Sequence, residues 1–469
     1  SSAASDVYKR QLYATQFKNL PIGQMEEKFA DYGEVQIKQL NDRSKMYYTP
    51  NKENNVFQLV VQYGAGEREF PKLGYAAQLM NNAGIMGAYE PQELKEELSK
   101  LNATCHVTAD DDNLYIIMEG YEATLPQACQ LLSRQILMPK LDEKQLARLK
   151  GSAMGMRQQR KDNVSILNEA LRQYMLYGEK SDYIKELTDK EIYELQISEL
   201  TGDINRASNY EAKVFFTGTL PFDQVYDILS KNLPLVANER PSNSPQAKDM
   251  MPVTENTVYF LPNNDAEQAQ IHLYIPMQKA DKKDDVLRSA FNQYFGLDFT
   301  GIVLNEIREK RSMAYTAYAF VGTQGIAGKA SYLRGYIGTQ NDKANDALDV
   351  LMGLVNDMPK NPERIDNIKS YLRQAMLTSH PSFRNKAMEL VDLGYRGYTD
   401  DPAKENLPKV DALTFDDIVK FYEENIKDKP YCISIMGNPK NIDLKRLEKF
   451  GKVVKLNERK LFNTKDALF

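Results

Sequence analysis

The sequence predicts an α+β protein made of two homologous α/β sandwich domains, each a mixed or antiparallel sheet with helices packed on it. The first observation is length, because 469 residues exceed one ordinary hydrophobic core and suit two domains. The second is an internal repeat, in which strand and helix segments recur in the same order. The third is a polar, proline-containing segment between the two copies, which is typical of a linker.

Two of the repeated pairs combine a strand with the helix that follows it. Residues 56–66 read VFQLVVQYGAG and are matched by IHLYIPMQ at residues 271–278, each a predicted strand that precedes a helical segment. Residues 115–139 are matched by residues 333–359, where a strand ends at a glycine and leads into a helix with apolar residues three and four apart. Both pairs therefore place the same element types in the same order.

A third pair fixes the offset of the repeat. KVFFTGTLPFDQVYDIL at residues 213–229 is matched by CISIMGNPKNIDLKRL at residues 432–447, a β-rich segment that ends at a glycine before a predicted helix. All three pairs are separated by roughly 215 to 220 residues, an offset that chance similarity between apolar strands would not keep. We therefore expect helices packed on a sheet in each copy.

The domain limits follow from the repeat and from the segments outside it. Residues 237–252 read ANERPSNSPQAKDMMP and lie between the copies. Residues 1–11, SSAASDVYKRQ, lack an initiator Met and look like translated adaptor sequence, so an upstream part of the gene is expected to be missing. The predicted organisation is a non-native leader at 1–11, a connector at 12–32, a first domain at 33–236, a linker at 237–255 and a second domain at 256–469.

Composition excludes several classes of function. The net charge of −5 is small, and lysine and arginine are scattered rather than gathered with aromatic residues, so a nucleic-acid partner is not expected. No apolar stretch is long enough for a membrane span. Cys105, Cys129 and Cys432 form no CxxC pair, which predicts neither a disulfide framework nor a thiolate zinc site. The compartment stays open, with the periplasm or another bacterial envelope compartment compatible with these features.

The strongest motif lies in residues 296–320, GLDFTGIVLNEIREKRSMAYTAYAF. It resembles the Arg and Tyr motif in the last domain of the C-terminal half of the pitrilysin/insulinase zinc peptidases. In that family a helix, a short turn and a strand beginning near AY place an Arg and a Tyr, seven residues apart, beside the active site. The resemblance puts Arg308 and Tyr315 in these places. It extends over most of residues 30–460, including LTFDDIVKFYEENI at residues 413–426.

The two side chains suit the roles that the resemblance implies. A guanidinium has five fixed donors and a permanent charge, so Arg308 is expected to bind a carbonyl or carboxylate of a peptide. A phenol hydroxyl donates to an oxyanion, so Tyr315 is expected to act in trans on a scissile carbonyl held by another half of the enzyme. The alternative is that Arg308 is an ordinary surface charge and Tyr315 a strand tyrosine that packs against its neighbours.

The sequence predicts no metal site in this chain. Catalytic members of the family carry HxxEH on a helix, with two His ligands and a Glu base, and a distant Glu as third ligand. When residues 74–82, GYAAQLMNN, are placed on that helix, Ala77 and Asn81 fall at the two His positions and Met80 at the base. Residues 151–163, where the third ligand is expected, contain no Glu. No cofactor is therefore expected here, and zinc is expected in a missing catalytic half.

These observations predict the substrate-binding C-terminal half of a zinc peptidase that encloses peptides in a clamshell chamber. Its expected partners are peptide substrates and an HxxEH-bearing half, fused upstream or separate, and the truncated start favours fusion. Alone, the chain is expected to hydrolyse nothing. Two alternatives remain: a non-catalytic scaffold or assembly subunit homologous to the family, and a periplasmic peptide-binding module suggested only by the two-lobed architecture.

Overall fold

The computed structural model describes residues 26–296 and 300–465, apart from the side chain of Lys161. The predicted leader at 1–11, most of the predicted connector and the last four residues of the predicted second domain lie outside these ranges. Residues 297–299 of the Arg and Tyr segment also lie outside them. The described residues form two six-stranded sheets with helices packed on them, which confirms the predicted fold class.

The first sheet has six strands within the described residues, in the order β1-β2-β8-β3-β6-β5. Its central strand β3 is paired on both sides and buries most of its residues, as expected for the middle of a sheet covered on both faces. The sheet is mixed, because β2 runs parallel to β8 while the other neighbours are antiparallel. The strands are β1 (Gln36–Gln39), β2 (Lys45–Pro50), β3 (Val56–Tyr63), β5 (Ala103–Ala109), β6 (Leu114–Tyr121) and β8 (Ala212–Gly218), with a small separate pair β4 (Gly84–Ile85) and β7 (Pro139–Lys140).

The second sheet repeats this arrangement in the described part of the chain. Its order is β11-β12-β10-β13-β9-β14, and five of its positions correspond to β5, β6, β3, β8 and β2 of the first sheet. The sixth position differs, because β1 precedes and runs antiparallel to its neighbour, while β14 comes from the C-terminal end and runs parallel. The strands are β9 (Thr257–Pro262), β10 (Gln268–Lys279), β11 (Ala314–Thr323), β12 (Ala330–Gln340), β13 (Cys432–Gly437) and β14 (Lys452–Lys455).

Most of the helices bury one apolar face. Helices that accompany the first sheet in sequence are α1 (Leu73–Met80), α2 (Pro91–Lys100), α3 (Leu125–Leu137), α4 (Glu143–Gln158), α5 (Val164–Tyr177), α6 (Asp182–Lys185), α7 (Asp189–Tyr193), α8 (Ile197–Ala207) and α9 (Phe222–Asn232). Those that accompany the second are α10 (Asp285–Phe295), α11 (Ile302–Leu304), α12 (Ala344–Asn356), α13 (Ile365–Thr378), α14 (Lys386–Tyr395), α15 (Pro402–Ala412), α16 (Phe415–Asn425) and α17 (Leu444–Leu447).

All three repeated pairs occupy equivalent places in the two sheets. The strands β3 and β10, β6 and β12, and β8 and β13 correspond in order, and α3 and α12 follow β6 and β12. The third pair differs in its helix, because α9 has eleven residues whereas α17 has four. The proposed domain limits, 33–236 and 256–469, assign one sheet to each unit.

The LTFDDI stretch starts a helix. Thr414 is the N-cap of α16, and its hydroxyl accepts a hydrogen bond from the Asp417 N–H at 3.3 Å. Asp417 in turn accepts from the Thr414 N–H at 2.8 Å, so the two residues form a capping box. This part of the motif is therefore explained by helix formation alone.

Each unit contributes one helix to the outer face of the other sheet. Helix α5 buries Leu167, Ala170 and Leu171 against Leu261 and Met436 of the second sheet. Helix α14 buries Ala387 in a cluster with residues of the first sheet. The two units therefore interlock, and each sheet has helices on both faces.

The segment predicted as a linker is held along its length. Glu239 is buried, and the Arg240 carbonyl accepts from the Glu211 N–H at 2.7 Å. Further along, the Asn243 N–H donates to the Gly64 carbonyl at 2.8 Å, and the Met251 N–H donates to the Leu176 carbonyl at 2.8 Å. Residues 237–255 thus cross between the units as an ordered strap with little regular secondary structure.

The described end of the predicted connector packs on the second unit. The Ala30 N–H donates to the Asp401 carboxylate at 2.7 Å, and Ala30 and Tyr32 share a small buried cluster with Leu393 and Tyr398. Burial and nearby carboxylates raise the pKa of Tyr32, so its hydroxyl stays protonated at all physiological pH values. The chain therefore contacts the second unit before it enters the first sheet.

A buried histidine lies where α5 covers the second sheet. His272 of β10 is 3% exposed, and its Nε2 lies 2.9 Å from Asn168 Oδ1 of α5. An amide oxygen only accepts, so Nε2 carries the hydrogen. Burial, followed by the positive charges of Arg172 and Arg334, lowers the pKa of His272 from 6.5 to about 3. The ring is therefore neutral in the folded protein at pH 5 to 7.

We expect this histidine to make the fold less stable in mild acid. Between pH 7 and pH 5 the unfolded chain protonates this side chain and the folded chain does not, so the free energy of unfolding falls by about 2 kcal/mol from this group. Denaturant unfolding at both pH values measures the difference. His272→Gln should lose about 2 kcal/mol less than the wild type over this interval. His106→Gln, at an exposed position on β5, is the matched control and should behave as the wild type. An unchanged pH dependence in His272→Gln would contradict this.

Candidate functional site

Tyr315 lies at a β-bulge on the edge strand of the second sheet. In the pairing of β11 with β12, Ala314 lies opposite Thr339 and Thr316 opposite Gly338, so Tyr315 is the extra residue. A bulge disrupts the ladder locally and redirects the side chain it carries. The Tyr315 side chain is 56% exposed rather than packed on the sheet. Its hydroxyl oxygen accepts a long hydrogen bond, 3.4 Å, from Gln340 Nε2, which leaves the hydroxyl hydrogen available for another acceptor.

Arg308 lies on a π-helical turn just before β11. The turn spans Asn305–Glu309, and the Lys310 N–H donates to the Asn305 carbonyl five residues earlier, at 2.9 Å. Such turns are rare and often occur at functional sites. The chain then reverses through Ser312, whose φ of +50° is unfavourable for a residue with a side chain. The predicted order of helix, short turn and strand beginning near Ala314 is therefore confirmed.

The two predicted residues come together. Arg308 and Tyr315 line one depression, of about 490 Å³, at the end of the sheet. Six other residues line it, and sequence reasoning missed the polar ones Ser312, Gln340 and Lys343 among them. Gln340 and Lys343 lie at and just after the end of β12, so the register of the β11–β12 hairpin would have been needed to find them.

The depression carries an excess of positive charge. The Arg308 side chain is 44% exposed, and its Nε lies 3.6 Å from the Glu309 carboxylate. Lys343 Nζ donates to the Ser312 carbonyl at 3.3 Å, which holds the turn. Glu306 instead pairs with Lys310 and Arg311, and hydrogen bonds from those two side chains lower the pKa of Glu306. Two cations and one carboxylate thus line the depression, which favours an anionic or carbonyl oxygen as ligand.

The positions that would hold a metal in a catalytic homologue do not fit one here. Ala77 and Met80 are each 1% exposed and belong to the first hydrophobic core, and neither offers a nitrogen or carboxylate ligand. Asn81 follows α1, and its amide is already fully engaged with the backbone of β5. The Asn81 Nδ2 donates to the Val107 carbonyl at 2.9 Å, and Asn81 Oδ1 accepts from the Val107 N–H at 2.8 Å.

The second unit contains the same pair of hydrogen bonds between an Asn side-chain amide and one residue of an edge strand. Asn292 of α10 donates through Nδ2 to the Val321 carbonyl at 3.0 Å and accepts from the Val321 N–H at 2.6 Å. In each unit, an Asn near the end of a helix bonds the N–H and C=O groups that the edge strand turns away from its neighbouring strand. Asn81 therefore has a structural role that its repeat counterpart also performs.

The histidines are far apart in the described structure. His106 is exposed on β5, His380 is exposed after α13, and His272 is buried under α5. Across residues 26–296 and 300–465, no three His, Cys, Asp or Glu side chains come together as a metal site would require. Within those same ranges no helix has the length and apolarity needed to cross a bilayer. Cys129 and Cys432 are buried and Cys105 is partly buried, all as free thiols.

Comparison with known proteins agrees with this fold. Residues 208–372 match the family described as the peptidase M16 inactive domain. No protein of curated function matches the chain in sequence. The crystal structure of the peptidase M16 inactive domain from Pseudomonas fluorescens has a TM-score of 0.67 at 17% identity, over 87% of this chain and 99% of that one.

Two longer proteases share the fold. The ferredoxin protease FusC, solved in complex with Arabidopsis ferredoxin, has a TM-score of 0.67 at 13% identity, over 86% of this chain and 45% of its own. The periplasmic protease PqqL from Escherichia coli has a TM-score of 0.64 at 12% identity, over 89% of this chain and 48% of its own. The chain therefore spans about half the length of either protease.

The fold thus defines a pair of α/β units, each built on a six-stranded sheet, in which the described residues bring no metal-binding cluster together. The resemblance to the pitrilysin/insulinase peptidases is confirmed, and residues 208–372 match the peptidase M16 inactive domain in sequence.

Proposed function

We propose that the chain is the substrate-binding, non-catalytic half of a zinc peptidase and that the Arg308–Tyr315 depression is its contribution to the active site. The observation that carries this proposal is the joint exposure of Arg308 and Tyr315 in one depression. A bulge and a π-turn place these side chains, although both distort regular structure. Local irregularity of this kind is common beside active sites.

Tyr315 would act on the reacting carbonyl. Among the described residues its hydroxyl hydrogen has no acceptor, so it is able to donate to an oxyanion that forms on a peptide held by the catalytic half. Zinc and the general base belong to that other half, since Ala77, Met80 and Asn81 offer neither. No step of bond cleavage is assigned to the present chain.

Arg308 would hold the peptide. With Lys343 beside it, the guanidinium is suited to bind a backbone carbonyl or a carboxylate in an extended substrate. FusC was solved with a bound protein, ferredoxin, which supports peptide or protein segments as the class of substrate. A pure scaffold subunit would need no such exposed pair, so the depression favours the peptidase half over that alternative.

Binding to the chain alone tests the proposal. A fluorescein-labelled unstructured peptide should bind weakly, and Arg308→Ala should weaken its binding roughly tenfold, because a hydrogen bond to a charged group is lost. Arg43→Ala, at an exposed position in the first unit, is the control and should bind normally. Tag-free protein should hold less than about 0.1 zinc per chain, because the described residues bring no three ligand side chains together. Equal binding by Arg308→Ala and wild type, or stoichiometric zinc, would refute the proposal.

A further inference from the structure

The outer edge of the first sheet is only partly closed. Strand β5 pairs with β6 on one side, and on its other side the Val107 backbone is bonded by Asn81. In an antiparallel pair, alternate residues turn their N–H and C=O groups to the same side. Cys105 and Ala103 therefore also turn these groups outward. Among the hydrogen bonds of the described residues, none reaches the outward groups of Cys105.

A groove runs beside this open stretch. It has a volume of about 590 Å³ and is lined by Ala103 and Cys105 of β5. Leu94 and Leu98 of α2 and Tyr121, which is 47% exposed, add apolar side chains to its lining, beside polar side chains such as Lys95 and Ser99. The groove thus places apolar side chains beside backbone groups that no described residue pairs, a combination that binds an extended peptide as an added strand.

The second unit shows what fills the equivalent place. Asn292 makes the same two hydrogen bonds to Val321 of β11 that Asn81 makes to Val107 of β5. Val321 and Val107 are therefore equivalent positions, which aligns the two edge strands residue by residue. Two residues before Val321, the Ala319 N–H donates to the Gly296 carbonyl at 3.0 Å. In that unit the chain itself supplies a backbone carbonyl to the edge strand. The corresponding position in the first unit is Cys105, where no such segment is present among the described residues.

We propose that the groove beside β5 binds an extended, apolar segment of the peptide substrate, which adds to the first sheet through the outward backbone groups of Cys105 and Ala103. This names a second contact for the substrate and so rests on the proposed function. A carbonyl of the peptide accepts a hydrogen bond from the Cys105 N–H, as the Gly296 carbonyl accepts one from the Ala319 N–H in the second unit. Because alternate side chains of an added strand point to opposite faces of the sheet, its apolar side chains lie on the face that carries Leu94 and Leu98.

Backbone methylation of the peptide tests strand addition directly. The probe is a fluorescein-labelled peptide of alternating valine and threonine, compared with two versions that are N-methylated at alternate residues. Each version lacks the N–H groups along one edge of the extended peptide, and only one edge pairs with β5. The version methylated on that edge should lose at least about tenfold in affinity, and the other version should not. Hydrogen exchange should slow at the Cys105 amide when the unmethylated probe is bound.

Variants of Cys105 remove the hydrogen-bond donor from the protein rather than from the peptide. Cys105→Pro removes the outward N–H and leaves the ladder to β6 intact, a substitution that edge strands tolerate. It should weaken binding about tenfold, whereas Cys105→Ala keeps the donor and should lose much less affinity. Circular dichroism checks that both variants fold.

The outcomes separate this inference from the proposed function. Equal loss with both methylated probes, no binding of the probe, or exchange protection only at residues 308–315 would overturn the inference. Loss with one methylated edge and with Cys105→Pro supports it. If these losses occur while Arg308→Ala binds normally, the results support peptide binding in the groove and contradict peptide binding at the Arg308–Tyr315 depression.

Discussion

Tyr315→Phe should lower kcat about a hundredfold to a thousandfold when this chain is joined to an HxxEH-bearing half. The hydroxyl is expected to bond the oxyanion mainly in the transition state, and loss of one such donor typically costs about 2.7 to 4 kcal/mol. KM should change much less, because the aromatic ring and its exposed position are kept. Steady-state kinetics on a quenched peptide measures both parameters.

The control for this substitution is another exposed tyrosine. Tyr371 of α13 is 45% exposed, and Tyr371→Phe should leave both kcat and KM unchanged. Circular dichroism must show that Tyr315→Phe is folded. Near-normal kcat in a folded Tyr315→Phe protein would remove the catalytic role, and Tyr315 would then be an exposed strand tyrosine.

Glu239→Ala should destabilise the protein by about 3 kcal/mol, because it leaves buried donors without an acceptor. The Glu239 carboxylate is 6% exposed and accepts from the Ser44 N–H, from the Ser44 hydroxyl at 2.8 Å and from Asn41 Nδ2 at 2.8 Å. For a unit of this size the melting temperature should fall by about 6 to 12 °C.

The same segment provides the control for Glu239. Glu255 is exposed, and Glu255→Ala should change the free energy of unfolding by less than about 0.5 kcal/mol. Thermal unfolding of both variants followed by circular dichroism measures the difference. Equal melting temperatures for Glu239→Ala and wild type would show that residues 237–255 are a loose linker rather than a strap that holds the first unit.

Sequence patterns were sufficient for the repeat because they depend on local periodicity. The strand and helix at residues 115–139 recur at 333–359, and both copies fold as β6 with α3 and β12 with α12. Periodicity shows that α5 has an apolar face but not which sheet it covers, so the exchange of α5 and α14 between units could not be foreseen. That choice depends on contacts between residues far apart in sequence.

The candidate site was partly predictable for a similar reason. Arg308 and Tyr315 were found through a motif, and their spacing brings them to one depression. Lys343 reaches it only through the hairpin register. Asn81 was found as a residue in a ligand position, yet its bonds to Val107 depend on the placement of β5 beside α1. No local pattern of residues reports such a contact.

Reconstitution tests the central claim, that this chain supplies substrate binding to a catalytic half, most directly. Hydrolysis of a quenched, unstructured peptide should be measured with this chain alone, with the HxxEH-bearing half alone, and with both in one preparation. We predict no hydrolysis by this chain, little by the other half, and full activity only with both, reduced by Arg308→Ala. Hydrolysis by this chain alone, or undiminished activity of the other half without it, would contradict the claim.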